Sequence, residues 1–313
     1  MPYKALTIAV MCESAWGALS PAAGGHGQDE ADMTTKLRTT LILAIATLPL
    51  AVQAPAQELT RKEMMCRRQI SETGRGYIEM TLEARIGCQN RAIKGRIDPA
   101  TDCTTGDGDK KLQKDLDRTA LVLGREMHEI CDEVDLGALG YPGPCAGDKG
   151  IVFDVDDLED CIAEQAQPIV TTLLDFYFPP IDRTYGGDRL ICLRQTPRQA
   201  FRMFRGDLRT RDDCSLAVIA GSLPGNVQCR NDVFAWGPGT GDDLVDAHIH
   251  RAYVELLNAI PEECSFFDID ELGYQDVCLD ETGGNFSVVD LKECLFNENR
   301  DQVQEALNIL FPQ

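Results

Sequence analysis

The sequence predicts an all-α protein made of two tandem homologous helical domains, each stapled by three disulfides. The cysteine spacing carries most of that prediction. From Cys66 the steps to the next five cysteines are 22, 15, 28, 14 and 16 residues, and from Cys192 they are 22, 15, 35, 14 and 16. Other residues keep the same register. Arg68, Gln69, Leu82, Arg85, Ile93 and Gly95 return 126 positions later as Arg194, Gln195, Leu208, Arg211, Ile219 and Gly221. After a seven-residue insertion the shift becomes 133, where Leu139-Gly140-Tyr141 returns as Leu272-Gly273-Tyr274 and Phe178-Pro179 as Phe311-Pro312. Self-similarity at a fixed period marks a repeated structural unit. Within each copy apolar residues recur at steps of three and four, the period of an amphipathic helix.

The chain opens with two segments that do not share this pattern. Residues 33–56 read as a secretory signal peptide: Lys36 and Arg38 give a basic start, Leu41 to Leu50 a short apolar stretch, and Ala54-Pro55-Ala56 a small-residue cleavage pattern. Cleavage is expected after Ala56, because a cut after Ala54 would leave proline first. Residues 1–32 stand before a complete signal, so translation is expected to begin at Met33. No cysteine follows the apolar stretch as a lipid attachment site would require. Beyond residue 56 there remain 27 basic and 47 acidic residues and twelve cysteines. An even count suits a disulfide framework in an exported protein.

The first domain, 57–182, is expected to start with a long helix over about 60–94, stopped by Gly95 in the left-handed position that follows a helix. A second helix carries Leu112, Leu116, Ala120, Leu123, Met127 and Ile130 on one face, and a third runs from about Asp156 to Tyr177. The second domain, 183–313, repeats them. Its first helix covers about 190–220 and ends at Gly221, with Pro197 expected to delay its start or kink it. Val245, Ile249, Tyr253, Leu256 and Ile260 form its second stripe, ended by Pro261, and Val289 to Leu310 its third helix. Asp157 and Asp290 recur at the starts of the third helices, where a carboxylate caps the chain and suits the helix dipole.

Helix length then suggests a pairing. Cys66 and Cys88 lie about 33 Å apart along a helix. A second helix returning antiparallel brings Cys131 level with Cys66 and leaves Cys88 and Cys103 at the far end. The favoured bonds are Cys66–Cys131, Cys88–Cys103 and Cys145–Cys161, then Cys192–Cys264, Cys214–Cys229 and Cys278–Cys294. Six cysteines allow 15 connectivities per copy, so the alternatives stay open.

This order of cysteines, the Ile-x-Gly, the Leu-Gly-Tyr and the Asp-Leu-x-x-Cys resembles a group of exported, cysteine-rich helical repeat proteins of deltaproteobacteria and related environmental bacteria. The resemblance spans nearly all of residues 60–312. That group has no established activity, so the resemblance implies a compartment and a fold and transfers no catalytic residue.

Composition narrows the function. The chain has a formal charge of −21, which repels phosphate backbones and argues against nucleic acid as partner. It has no run of 18 apolar residues, so no membrane span is expected. Zinc thiolate sites need cysteines two to four apart, and the closest spacing is 14. His128-Glu129 begins like the H-E-x-x-H of zinc peptidases, but Asp132 stands where the second histidine belongs. His248 and His250 read as surface residues, with a chance metal site beside Asp246 or Asp243 as the alternative. Gly221-Ser222 lacks the rest of a nucleophile elbow, and Gly237-Pro238-Gly239-Thr240-Gly241 lacks the lysine of a phosphate loop and reads as a flexible insertion. The carboxylate groups, Asp154, Asp156 and Asp157 among them, fit no EF-hand loop. No metal ligand or cofactor is assigned.

Two surface features are candidates for interaction. Arg198, Arg202, Arg205 and Arg209 lie three or four apart and form a basic stripe, while residues 212–313 hold four basic and 20 acidic groups. The stripe faces either an acidic partner or, the favoured reading, the acidic part of its own copy. The insertion 230–241 carries Phe234 and Trp236, which either make a specific contact or pack over the second helix. The sequence therefore points to an exported or periplasmic binding or structural protein whose partner is a protein or glycan. The alternatives are a secreted hydrolase using Asp and Glu residues between the copies and a Ca²⁺-dependent surface module.

Overall fold

In the computed structural model the described residues are 59–145, 153–179, 187–234, 237–260, 264, 269–278 and 286–312. The expected leader, the 182/183 boundary, Trp236 and Pro261 lie outside them. Among the described residues every regular element is helical: α1 Arg61–Ile93, α2 Lys110–Cys131, α3 Val155–Tyr177, α4 Asp188–Ile219, α5 Asp243–Ala259, α6 Tyr274–Val277 and α7 Val288–Leu310, with short 3₁₀ turns at Leu136–Leu139, Gly143–Cys145 and Ile269–Leu272. The long helices match between halves, 33 and 32 residues for α1 and α4 and 23 each for α3 and α7, whereas α5 is shorter than α2, 17 residues against 22, and α6 is present in the second half alone among the described residues.

The helices begin and end where local chemistry directs. Thr60 and Glu63, Asp154 and Asp157, and Ser287 and Asp290 each form a reciprocal capping box, so the recurring Asp157 and Asp290 satisfy backbone N–H groups. Gly95 and Gly221, at φ 64° and 71°, take the left-handed turn beyond α1 and α4. Pro197 does not delay α4, which begins nine residues earlier at Asp188 and continues through it. Cys192 and Leu193, both fully buried, hold that first stretch in the core, which outweighs the roughly 3 kcal/mol cost of an interior proline. The α2 stripe also differs by one residue. Ala120 is exposed and Thr119 buried, its hydroxyl donating to the Asp115 carbonyl at 2.9 Å.

Cysteines pair as the helix-length argument favours. Cys66–Cys131 and Cys192–Cys264 join the start of each long helix to the end of the next, at Cα separations of 5.0 and 5.3 Å. Cys88–Cys103 and Cys214–Cys229 close the opposite ends. Cys145–Cys161 and Cys278–Cys294 tie the approach of α3 and of α7 to its own helix.

Residues Glu58–Gln313 pack as one unit, and one hydrophobic core runs through both halves. The halves grip each other reciprocally. Tyr141, from the first Leu-Gly-Tyr, donates its hydroxyl proton to the Leu310 carbonyl at the end of α7, at 2.9 Å. Tyr274, from the second, donates to the Tyr177 carbonyl at the end of α3, at 3.3 Å. Both tyrosines are buried, so each bond also satisfies a hydroxyl that would otherwise be stranded in the core. Gly74 of α1 allows one close approach between the halves, since a Cβ there would lie 2.5 Å from Leu310 Cδ2.

Candidate functional site

The basic stripe does not act as one surface. Arg198 and Arg202 are exposed, and Arg202 donates to Gln199 at 3.2 Å. Arg205 lies 5.8 Å from the Phe201 ring centre. Arg209 alone of the four meets an acid among the described residues, and that acid belongs to the first half: Arg209 Nε donates to Glu79 Oε1 at 2.8 Å and Nη2 to Glu79 Oε2. Arg209 thus reaches an acid of the first half and not the acidic part of its own copy. The repeat pattern identifies equivalent residues but not which half an arginine reaches.

Beside that pair lies the most deeply buried carboxylate joining the halves. The Asp212 side chain on α4 is fully buried and accepts hydrogen bonds from Ser71 and Arg75 of α1. Burial pushes its carboxyl from 3.8 up to about 6 even though the Arg75 cation opposes the shift. Asp207 is raised by the same desolvation, with Arg211 opposing it, and Arg211 also donates to the carbonyls of Cys229 and Asn231 at 2.9 Å each. These groups fix helices to one another and to the insertion.

The insertion packs rather than projects. The Phe234 ring sits 4.9 Å from Tyr253 of α5 and 4.6 Å from Phe296 of α7, both edge-on. Phe234 thus serves the second half's own packing, the role weighed against a partner contact. Its glycine-rich stretch is tied down: Asp246 Oδ1 accepts from Thr240 N at 2.9 Å and from Thr240 Oγ1 at 2.6 Å, and Gln228 N donates to the Thr240 carbonyl. Asp246 is therefore committed to the loop and not to His248 or His250, which are both exposed.

The most concentrated chemistry lies where α2 ends and α3 begins. His128 occupies the last turn of α2, and Asp132 caps that helix. His128 Nδ1 is 2.6 Å from Asp132 Oδ1, and Nε2 is 3.0 Å from Asp156 Oδ1 in the first turn of α3. One turn further along α3, the Glu159 carboxylate lies over Gly124 of α2, in the space a Cβ there would take. A nitrogen of His128 and one oxygen each of Asp156 and Glu159 lie within 4.8 Å of one another. Hydrogen bonding to Asp132, reinforced by Asp156, raises the His128 pKa, and burial raises that of Glu159. One imidazole and two carboxylates stand together here, with a third carboxylate behind the imidazole, and these are the donor types that divalent cations take.

No sequence motif marks a metal ligand here, because Asp132 stands where a histidine four residues after His128 would be needed. Glu159 carries no local motif. The available signal was the position of Asp156 and Glu159 in the first two turns of a helix that must follow the end of α2.

A groove of about 430 Å³ also runs between α1 and α4, floored by Met64, Met65, Leu216 and Ala217 and rimmed by Arg68 and Asp213. Among the described residues no helix is long and apolar enough to cross a membrane. Comparison of the chain with protein-family models, curated proteins and solved structures finds no match.

Proposed function

We propose that this chain is an exported, disulfide-stapled protein, built by duplication of one six-cysteine unit, that works by binding or as a structural component outside the cytosol. The observation that carries the reading is the complete pairing of the twelve cysteines after residue 57 into six bonds, each within its own half. Cytosolic reductants keep thiols reduced, so a framework of this density belongs to an oxidising compartment. The basic, apolar and small-residue segments of 33–56 supply the route there. Corresponding long helices and equivalent bonds in both halves support the duplication. A protein or glycan partner fits a rigid frame whose exposed Arg198 and Arg202 stand out from an acidic chain.

Expression from Met33 in a bacterium with an oxidising periplasm, followed by fractionation and N-terminal sequencing, tests the reading. The expected product starts at Gln57 and is found outside the cytosol. Protein retained in the cytosol with residues 33–56 attached contradicts it.

A further inference from the structure

We infer that His128, Asp156 and Glu159 form a binding site for one divalent transition-metal ion of the Zn²⁺ class, bridging the end of α2 and the start of α3. The geometry supports this at three levels. First, two of the three donors already stand at the spacing of a shared ion, and the third is close by. His128 Nε2 and Asp156 Oδ1 are 3.0 Å apart, close to the ligand–ligand separation of about 3.0–3.5 Å that follows from bonds near 2.1 Å. Glu159 supplies the third donor, all three lying within 4.8 Å of one another, and a rotation of its flexible side chain brings it to bonding distance. Second, the imidazole is already oriented. Asp132 holds Nδ1 at 2.6 Å, the outer carboxylate that fixes a ligating histidine and raises its basicity. Third, charge is in excess. Asp132, Asp156 and Glu159 surround one histidine, and Glu159 has no hydrogen-bond or ion-pair partner among the described residues. A dication placed between Nε2 and the two carboxylates balances them.

The second half shows that the fold does not require this arrangement. At the equivalent positions Pro261, Ser265, Val289 and Lys292 replace His128, Asp132, Asp156 and Glu159. Gly124, whose missing side chain makes room for the Glu159 carboxylate, is replaced by Leu257. Ligands, orienting carboxylate and space have all been exchanged together, although capping and disulfides are retained. An imidazole ligand disfavours Ca²⁺ and Mg²⁺, which take oxygen, and three protein donors leave further positions on the ion for water.

The test is titration of the full oxidised chain with Zn²⁺ by calorimetry, with histidine ring resonances followed by NMR. One Zn²⁺ per chain is expected, shifting the ring signals of His128 and leaving those of His248 and His250 unchanged. Glu159→Gln and His128→Asn should each weaken binding at least about 10-fold. Gly124→Ala removes no ligand, yet it should weaken binding comparably, because its Cβ displaces the Glu159 carboxylate. His250→Asn, on a helix far along the sequence, should leave affinity unchanged, and Ca²⁺ should not compete. Binding that survives all three substitutions at the site, lacks a defined stoichiometry, or is displaced by equimolar Ca²⁺ overturns the assignment.

Discussion

Removing the Cys66–Cys131 bond should destabilise the protein more than removing any of the short-loop bonds, and the structure sets the size of the difference. The bond closes a separation of 65 residues, and Cys145–Cys161 closes one of 16. Loop-closure entropy gives about 4 kcal/mol for the longer loop and about 3 kcal/mol for the shorter at 25 °C. Burial adds to the contrast. Cys66 and Cys131 are both fully buried in the main core, so alanine at both positions leaves unfilled space. Cys145 is partly exposed and its surroundings can relax. The double variant Cys66→Ala/Cys131→Ala should therefore lose at least about 1 kcal/mol more than Cys145→Ala/Cys161→Ala. Urea unfolding without reductant measures both, and the denaturant slope should rise in the long-loop variant because its unfolded chain exposes more surface. Equal losses, or a larger loss for the short loop, would refute the account of the bonds as restraints on the unfolded chain.

Three further outcomes are expected. Asp212 titrates near 6 in the folded protein against 3.8 unfolded, so its contribution to stability is complete below about pH 4 and is lost as the pH rises through 6. That gap of about two pH units corresponds to about 3 kcal/mol, so stability measured at pH 4 and pH 7 should change less favourably with rising pH in the parent than in Asp212→Asn; identical pH profiles would exclude it. Gly74→Ala places a methyl group 2.5 Å from Leu310 Cδ2 and should cost about 1–3 kcal/mol by thermal or urea unfolding, a cost relieved by Leu310→Ala in the same chain. Arg211→Leu strands the buried Asp207 carboxylate and two loop carbonyls and should cost about 3–5 kcal/mol, whereas a loss below 1 kcal/mol would show that the buried pair is dispensable.

What the sequence made legible was whatever depends on spacing along one chain. Helix periodicity placed α3 and α7 to within a residue of their starts, and helix length alone favoured the six bonds the structure contains. What it did not disclose was which half each residue touches. Tyr141 and Tyr274 are visible as repeats, but nothing in a repeat says that each bonds the end of the other half's helix. Arg209 was placed on a stripe with three neighbours, and its partner Glu79 lies 130 residues away. The Thr119 and Ala120 exchange has a local cause: a hydroxyl that bonds its own helix can be buried, so polarity alone misplaced the stripe by one residue. His128 and Glu159 meet only because α3 starts beside the last turn of α2, and Gly124 contributes by having no side chain, which no motif records.

Twelve cysteines form six bonds, none of which crosses between the halves, and the proposed location outside the cytosol depends on that framework. Mass spectrometry of peptides from the native protein, digested without reductant after blocking free thiols, tests this framework most directly. The account expects no blocked thiol and six linked pairs, Cys66–Cys131, Cys88–Cys103 and Cys145–Cys161 with their counterparts Cys192–Cys264, Cys214–Cys229 and Cys278–Cys294. Labelled free cysteines, or a peptide joining a cysteine before residue 162 to one after residue 191, would contradict it.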